Sequence, residues 1–138
     1  MSRDRKVEAR NWFKQARAEF KDASELEGRG RLYLALYLFQ QSAEKALKGF
    51  LFDRGEEELF THSVKDLLGL ASSHDPGFAR LRSAGKLDMY YIPSRYPNGL
   101  AGDVPADFFD DPEECAAAQE LARGVLEVVA SALKEPWP

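Results

Sequence analysis

From Leu32 to Phe39 the chain reads LYLALYLF, and this run constrains the fold more than any other feature. It is followed by Ala43, Leu47, Phe50 and Leu51, which share one side of a helix, and by Gln40, Gln41, Glu44, Lys45 and Lys48. With Ala35, those polar residues favour helix over strand. The pattern predicts one helix over 31–53, stopped by Gly55. A helix that is apolar on most sides must lie at the centre of a bundle or in an oligomer contact. It does not predict a membrane span, because Gln40 and Gln41 interrupt the run.

The neighbouring segments supply partners for that helix. Trp12, Phe13, Ala16, Phe20 and Ala23 recur at three- and four-residue spacing, which predicts a helix over 4–26 with Lys14, Arg17, Lys21 and Asp22 facing water. Gly28 and Gly30 stop it. Thr61 or Ser63 caps a short third helix whose apolar face is Val64, Leu67, Leu68 and Ala71. A fourth helix is expected from Pro76, burying Phe78, Leu81, Leu87 and Met89. The last starts near Pro112, capped by Asp110 or Asp111, and carries the stripe Cys115, Ala118, Leu121, Ala122, Val125, Val128 and Val129. No segment alternates with period two for long enough to make a sheet. The expectation is all-α: a single domain over 1–138 with two long antiparallel helices, a long last helix, and the short third and fourth helices completing the wall.

Composition narrows the chemistry. The 138 residues are enough for one ordinary domain. The single cysteine, Cys115, rules out an intrachain disulfide and any metal site needing two thiolates. Two histidines cannot build a three-histidine zinc centre. No metal and no cofactor is therefore expected. The charged N-terminus MSRDRKVEAR does not read as a secretory signal, so the cytoplasm is the expected location. A net charge of -4 argues against bulk nucleic-acid binding but leaves room for a local basic site. Basic residues cluster at Arg3, Arg5, Lys6 and Arg10, at Arg29 and Arg31, and at Arg80, Arg82 and Lys86.

No phosphate-cradling glycine loop, zinc-binding histidine pair or nucleophile elbow is present in the sequence. The irregular stretch over 90–111 is the strongest local signal, because a loop that long is uncommon in a small domain. Tyr90, Tyr91, Arg95 and Tyr96 fall within it, with Pro93, Pro97 and Gly99 to fix the backbone. A guanidinium fork can hold a phosphate, and tyrosine faces can stack on a base. Equally, Arg95 could pair with Asp88 or a bundle carboxylate while the tyrosines plug the core. Glu44 and Lys48 read either as a helix brace or, with Gln41 and Lys45, as a wet face beside a ligand. His62 reads as a capping residue or as an acid/base group, His74 as structural, and Cys115 as core. Trp12 reads as core, and Trp137 as a tail anchor or an exposed residue.

WFKQA (12–16), QQSAEKALK (40–48), THS (61–63), LDMYYIPSRYP (87–97) and the Ala-rich last helix together resemble the HEPN family, over nearly the whole chain. The resemblance implies an up-and-down four-helix bundle with an additional short helix, commonly a dimer, often beside a minimal nucleotidyltransferase. Some members of that family are toxin–antitoxin ribonucleases that cleave RNA without metal, using an arginine followed after four to six residues by a histidine. Arg95 matches the arginine by its place after the fourth helix. No histidine follows anywhere from Asn98 to Pro138, which sets the chain apart from the nuclease pattern. The resemblance is best to the branch for which nucleotide or nucleic-acid binding has been proposed.

Three functions follow as expectations. The first is an accessory module, a dimer as the resemblance implies, presenting Arg95, Tyr91, Tyr96, Lys45 and Lys48 to a nucleotide, an RNA or a nucleotidyltransferase partner. The second is a metal-independent ribonuclease using Arg95 for charge and His62 or Tyr96 for proton transfer. The third is a purely structural dimer built on the apolar part of the second helix.

Overall fold

The computed structural model describes residues 4–97, 100 and 102–138, so Arg3 and Gly99 lie outside the described residues. Among the described residues five α-helices and one long 3-10 segment follow one another: α1 (Arg5–Gly28), α2 (Leu32–Asp53), α3 (Val64–His74), the 3-10 segment (Pro76–Tyr90), α4 (Pro105–Phe108) and α5 (Pro112–Leu133). Asp4, Ser63 and Asp111 cap α1, α3 and α5 through their side chains, each satisfying an amide that the first helical turn leaves free.

α2 is the central element and packs on α1, α3, α5, α4 and the 3-10 segment. Much of its apolar surface is thereby covered within one chain: Leu32, Ala35, Leu36, Phe39, Leu47, Phe50 and Leu51 are all buried. Leu34 is exposed, and Tyr33, Tyr37 and Leu38 are half-buried, leaving a partly apolar strip on its outer side. α1 turns back into α2 through Gly30, whose φ of +74° suits glycine best, and the Arg31 amide closes the turn on the Leu26 carbonyl at 2.9 Å. The two helices run antiparallel, with Arg5 donating to the Phe52 carbonyl at 3.2 Å near one end and Phe20 meeting Phe39 at 5.4 Å nearer the other. They approach closely at Gly49, where a Cβ would lie 3.0 Å from both the Ala9 oxygen and the Trp12 Cβ. α5 runs antiparallel to α1, with Gln119 on Ser24 at 3.1 Å and Glu135 on Arg10 at 3.2 Å.

The fourth helix differs from expectation. Pro76–Tyr90 is a 3-10 segment made of two pieces joined at Leu81, whose φ and ψ of -98° and 15° are not helical. The reason is in the spacing. Phe78, Leu81, Ala84, Leu87 and Tyr90 recur every third residue, and only a three-residue turn puts them on one face. Phe78, Ala84, Leu87 and Tyr90 are buried accordingly, whereas Met89, expected in the core, is 55% exposed. Within 90–111, α4 contributes one helical turn, and Phe109 packs edge-on against Tyr90 at 5.7 Å. No helix among the described residues is long and apolar enough to cross a membrane.

Candidate functional site

The loop after the 3-10 segment is held from beneath. The Tyr90 hydroxyl donates to Glu114 on α5 at 2.7 Å, and the Ser94 hydroxyl donates to the Tyr90 carbonyl. The Arg95 amide donates to the Ile92 carbonyl at 3.0 Å, and its Nε donates to the Tyr91 carbonyl at 2.8 Å. These bonds fix the guanidinium among three tyrosines, 4.7 Å from the ring centres of Tyr37 and Tyr91 and 4.8 Å from that of Tyr96. Among the described residues no carboxylate pairs with Arg95. Asp88, considered as its partner, is instead committed to the start of α3, accepting from the Ser63 hydroxyl at 2.8 Å and from the Val64 and Lys65 amides at 2.6 and 3.1 Å.

His62 reaches the same place from the α2–α3 connection. Its ring stacks on Tyr91 at 5.0 Å with an interplanar angle of 17°, so His62 and Arg95 both lie against Tyr91. The His62 Nδ1 faces Glu44 Oε2 at 3.2 Å. A carboxylate there favours the proton on Nδ1, which leaves Nε2 with its lone pair in the neutral ring. The side chain is 55% exposed. Gln40, fully buried, donates to the His62 carbonyl at 2.9 Å and holds the connection in place.

The remaining polar residues of α2 are not a wet face. Glu44 and Lys48 are buried, 3% and 6% exposed, and pair at 3.1 Å. Lys48 also lies 6.0 Å from the Trp12 ring centre. Gln41 donates to Glu44 at 3.3 Å. Lys45, half-buried, bonds to Glu19, which also accepts from Gln15 at 2.7 Å. Of the five expected ligand contacts, Arg95, Tyr91 and Tyr96 come together, while Lys45 and Lys48 are already neutralised by carboxylates of the bundle.

Tyr37 was missed in the sequence, hidden in the apolar run. Its only signal was position: it stands four residues before Gln41 and eight before Lys45, on the same side of α2. Burial pushes its phenol above the usual range although Arg95 pulls the other way, so the ring stays neutral at physiological pH. Trp137 anchors the tail edge-on to Phe20 at 5.1 Å, and His74 pairs with Glu56 at 2.9 Å. Among the described residues no group of three or more His, Cys, Asp or Glu is placed to hold a metal ion.

Cys115 is fully buried on α5, and burial, then the neighbouring Glu27, pushes its thiol up to about 12. It is expected to resist iodoacetamide at mildly alkaline pH in the folded protein and to react in denaturant, as mass spectrometry of the alkylated chain would show. An unfolded chain loses that proton at 9.0 and the folded one near 12, so the thiol's contribution to stability is complete below pH 9.0 and lost as pH rises towards 12.

A family model of the HEPN domain matches residues 9–133. The crystal structure of TT1696 from Thermus thermophilus has a TM-score of 0.79 to this chain at 36% identity, covering 89% of this chain and 96% of that one. The structure of ST0689, an archaeal HEPN homologue, has a TM-score of 0.74 at 30% identity, covering 96% and 99%. None of the curated proteins compared matches the chain.

Proposed function

The chain belongs to the HEPN family, and from that premise we propose that it is a binding module whose Arg95 holds the phosphate of a nucleotide or RNA. One observation carries the reading: a guanidinium ringed by Tyr37, Tyr91 and Tyr96, with no carboxylate partner among the described residues. Stacking on aromatic faces stabilises the cation without using its hydrogen-bonding edge. Nε is taken by the Tyr91 carbonyl, and among the described residues no acceptor takes the terminal amino groups, which can meet an incoming anion. Tyr96, 47% exposed, offers a face for a base. The module is a dimer in this reading, works in the cytoplasm, and acts beside a minimal nucleotidyltransferase. The half-buried strip of Tyr33, Tyr37 and Leu38 with exposed Leu34 supports a contact between copies.

Titration calorimetry with ATP, GTP and a short RNA tests this. Arg95→Ala is expected to weaken binding about ten- to a hundredfold, the loss of one or two charge-assisted bonds. Arg95→Lys keeps the charge but not the fork, and restores binding only in part. Absence of binding to all three, with no complex formed with a nucleotidyltransferase, would overturn the reading. Native mass spectrometry of gently purified protein reports the dimer and any retained nucleotide in one measurement.

A specific observation also favours a metal-independent ribonuclease: His62 and Arg95 share the Tyr91 ring, and Glu44 orients the imidazole. In that reading the RNA 2′-hydroxyl attacks the adjacent phosphorus, His62 Nε2 takes its proton, and Arg95 stabilises the pentavalent phosphorane. The P–O5′ bond breaks, and the leaving 5′-oxygen takes a proton from the Tyr96 hydroxyl or from water, giving a 2′,3′-cyclic phosphate and a 5′-hydroxyl strand. Cleavage that survives in both Arg95→Ala and His62→Ala belongs to a contaminant.

A further inference from the structure

A second basic surface lies elsewhere on the bundle. Lys14, Arg17 and Lys21 stand at helical spacing on one side of α1, and Arg123 of α5 joins them across a groove of about 490 Å³. Counting about 100° per residue, those three α1 positions lie roughly 140–160° around the helix from Glu19, the residue that meets Lys45 on the Arg95 side. Phe20, Trp137 and Pro138 form the apolar part of the groove, and among the described residues no Asp or Glu side chain lines it. Arg123 also forms an ion pair with Glu120, three residues before it on α5, at 3.6 Å.

Two of the four cations are held in place before any ligand arrives. The Arg123 guanidinium lies 5.3 Å from the Phe20 ring centre. That of Arg17 lies 5.7 Å from Phe13 and donates to the Pro136 carbonyl at 2.7 Å. This bond and the Phe20 contact also fix the tail, and with it the half-buried Trp137 ring. Lys14, Arg17 and Lys21, with Arg123 partly offset by Glu120, make a local positive field on a chain of net charge -4 that attracts anions. Pre-placed cations beside an indole ring suit a ligand that alternates phosphates with flat aromatic groups.

We propose that this groove is a second binding site, taking single-stranded nucleic acid, with phosphates on Lys14, Arg17, Lys21 and Arg123 and a base against Trp137. The site is independent of Arg95. An acidic peptide offers the charges but no base to stack on Trp137, so the indole favours the nucleic acid.

The chain has two tryptophans, which makes the test site-specific. In Trp12→Phe the only remaining indole is Trp137, and decauridylate at low salt is expected to quench its emission. The dependence of log affinity on log salt is expected near about -3, and near about -1.5 in Lys14→Gln/Lys21→Gln. Trp137→Leu is expected to weaken binding about five- to a hundredfold, and Trp137→Tyr to retain most of it. Quenching that persists in Arg95→Ala supports a separate site, while the calorimetric titration above judges Arg95 on its own. The proposal is overturned by an unchanged emission, by loss of quenching in Arg95→Ala, or by oligoglutamate binding as tightly as decauridylate. If Trp12→Phe does not fold, anisotropy of dye-labelled decauridylate with the wild type and the groove variants makes the same comparison.

Discussion

Glu44→Ala is expected to cost about 3–5 kcal/mol of folding stability, read by urea unfolding, because it strands a buried ammonium. Lys48 is 6% exposed, and Glu44 at 3.1 Å is its carboxylate. Alanine also removes the acceptor that faces His62 Nδ1 at 3.2 Å and takes the Gln41 amide at 3.3 Å. Lys48→Met should cost less, since Glu44 keeps those two contacts and methionine fills most of the same volume. In the double variant Glu44→Gln/Lys48→Met neither charge is buried. It should be more stable than Glu44→Ala, although it carries one substitution more. If the costs of Glu44→Gln and Lys48→Met, each measured alone, merely add in that double variant, the pair is not coupled and this account of Glu44 is removed. A structural role for the pair is compatible with a role at the site. The same carboxylate that neutralises Lys48 aims His62, so the cluster's geometry depends on the bundle's interior.

How much of this was legible depends on the kind of residue. α1, α2 and α5 follow the sequence pattern to within two or three residues, because their apolar stripes are long and their ends carry turn or capping residues: Gly30, Gly55 and Asp111. The 3-10 segment was legible only as helix. Its period of three is short, and in Pro76–Tyr90 the glycines at 77 and 85 blur the contrast between faces. The Arg95–Tyr91–Tyr96 group was legible because it sits within six residues of chain. Tyr37 and His62 reach it from 58 and 33 residues upstream in number, a juxtaposition made by packing alone. Lys48 misled for a related reason. An i,i+4 pair looks the same in sequence whether it faces water or another helix, and here α1 covers it with Trp12. The charge of a basic residue is visible in a sequence, but the carboxylate that cancels it is visible only in the fold.

Asp88→Ala is expected to cost about 2–4 kcal/mol and to loosen two elements at once. Its carboxylate accepts from the Val64 and Lys65 amides at 2.6 and 3.1 Å and from the Ser63 hydroxyl at 2.8 Å. Ser63 already satisfies the Asp66 amide at 3.1 Å, so two side chains share the free donors of the first turn of α3. Asp88 supplies the charged half, which the positive end of the helix also favours. Its removal leaves the Val64 and Lys65 amides without a protein acceptor and removes a charged tie between α3 and the end of the 3-10 segment, which also pack on each other. Asp88→Asn keeps the shape but turns an amino group towards a donor, so an intermediate loss is expected. Hydrogen exchange should place the change: the Val64 and Lys65 amides lose protection in Asp88→Ala, while those in the middle of α2 do not. Tyr91 and Arg95 lie three and seven residues beyond Asp88, on a loop that starts from the anchored end of that segment. Ligand binding should therefore weaken in Asp88→Ala together with stability. In Arg95→Ala binding should weaken while the α3 amides stay protected. An Asp88→Ala variant within about 0.5 kcal/mol of the wild type would mean that Ser63 alone suffices to cap α3 and that the loop takes its position from Tyr90 and Glu114 instead.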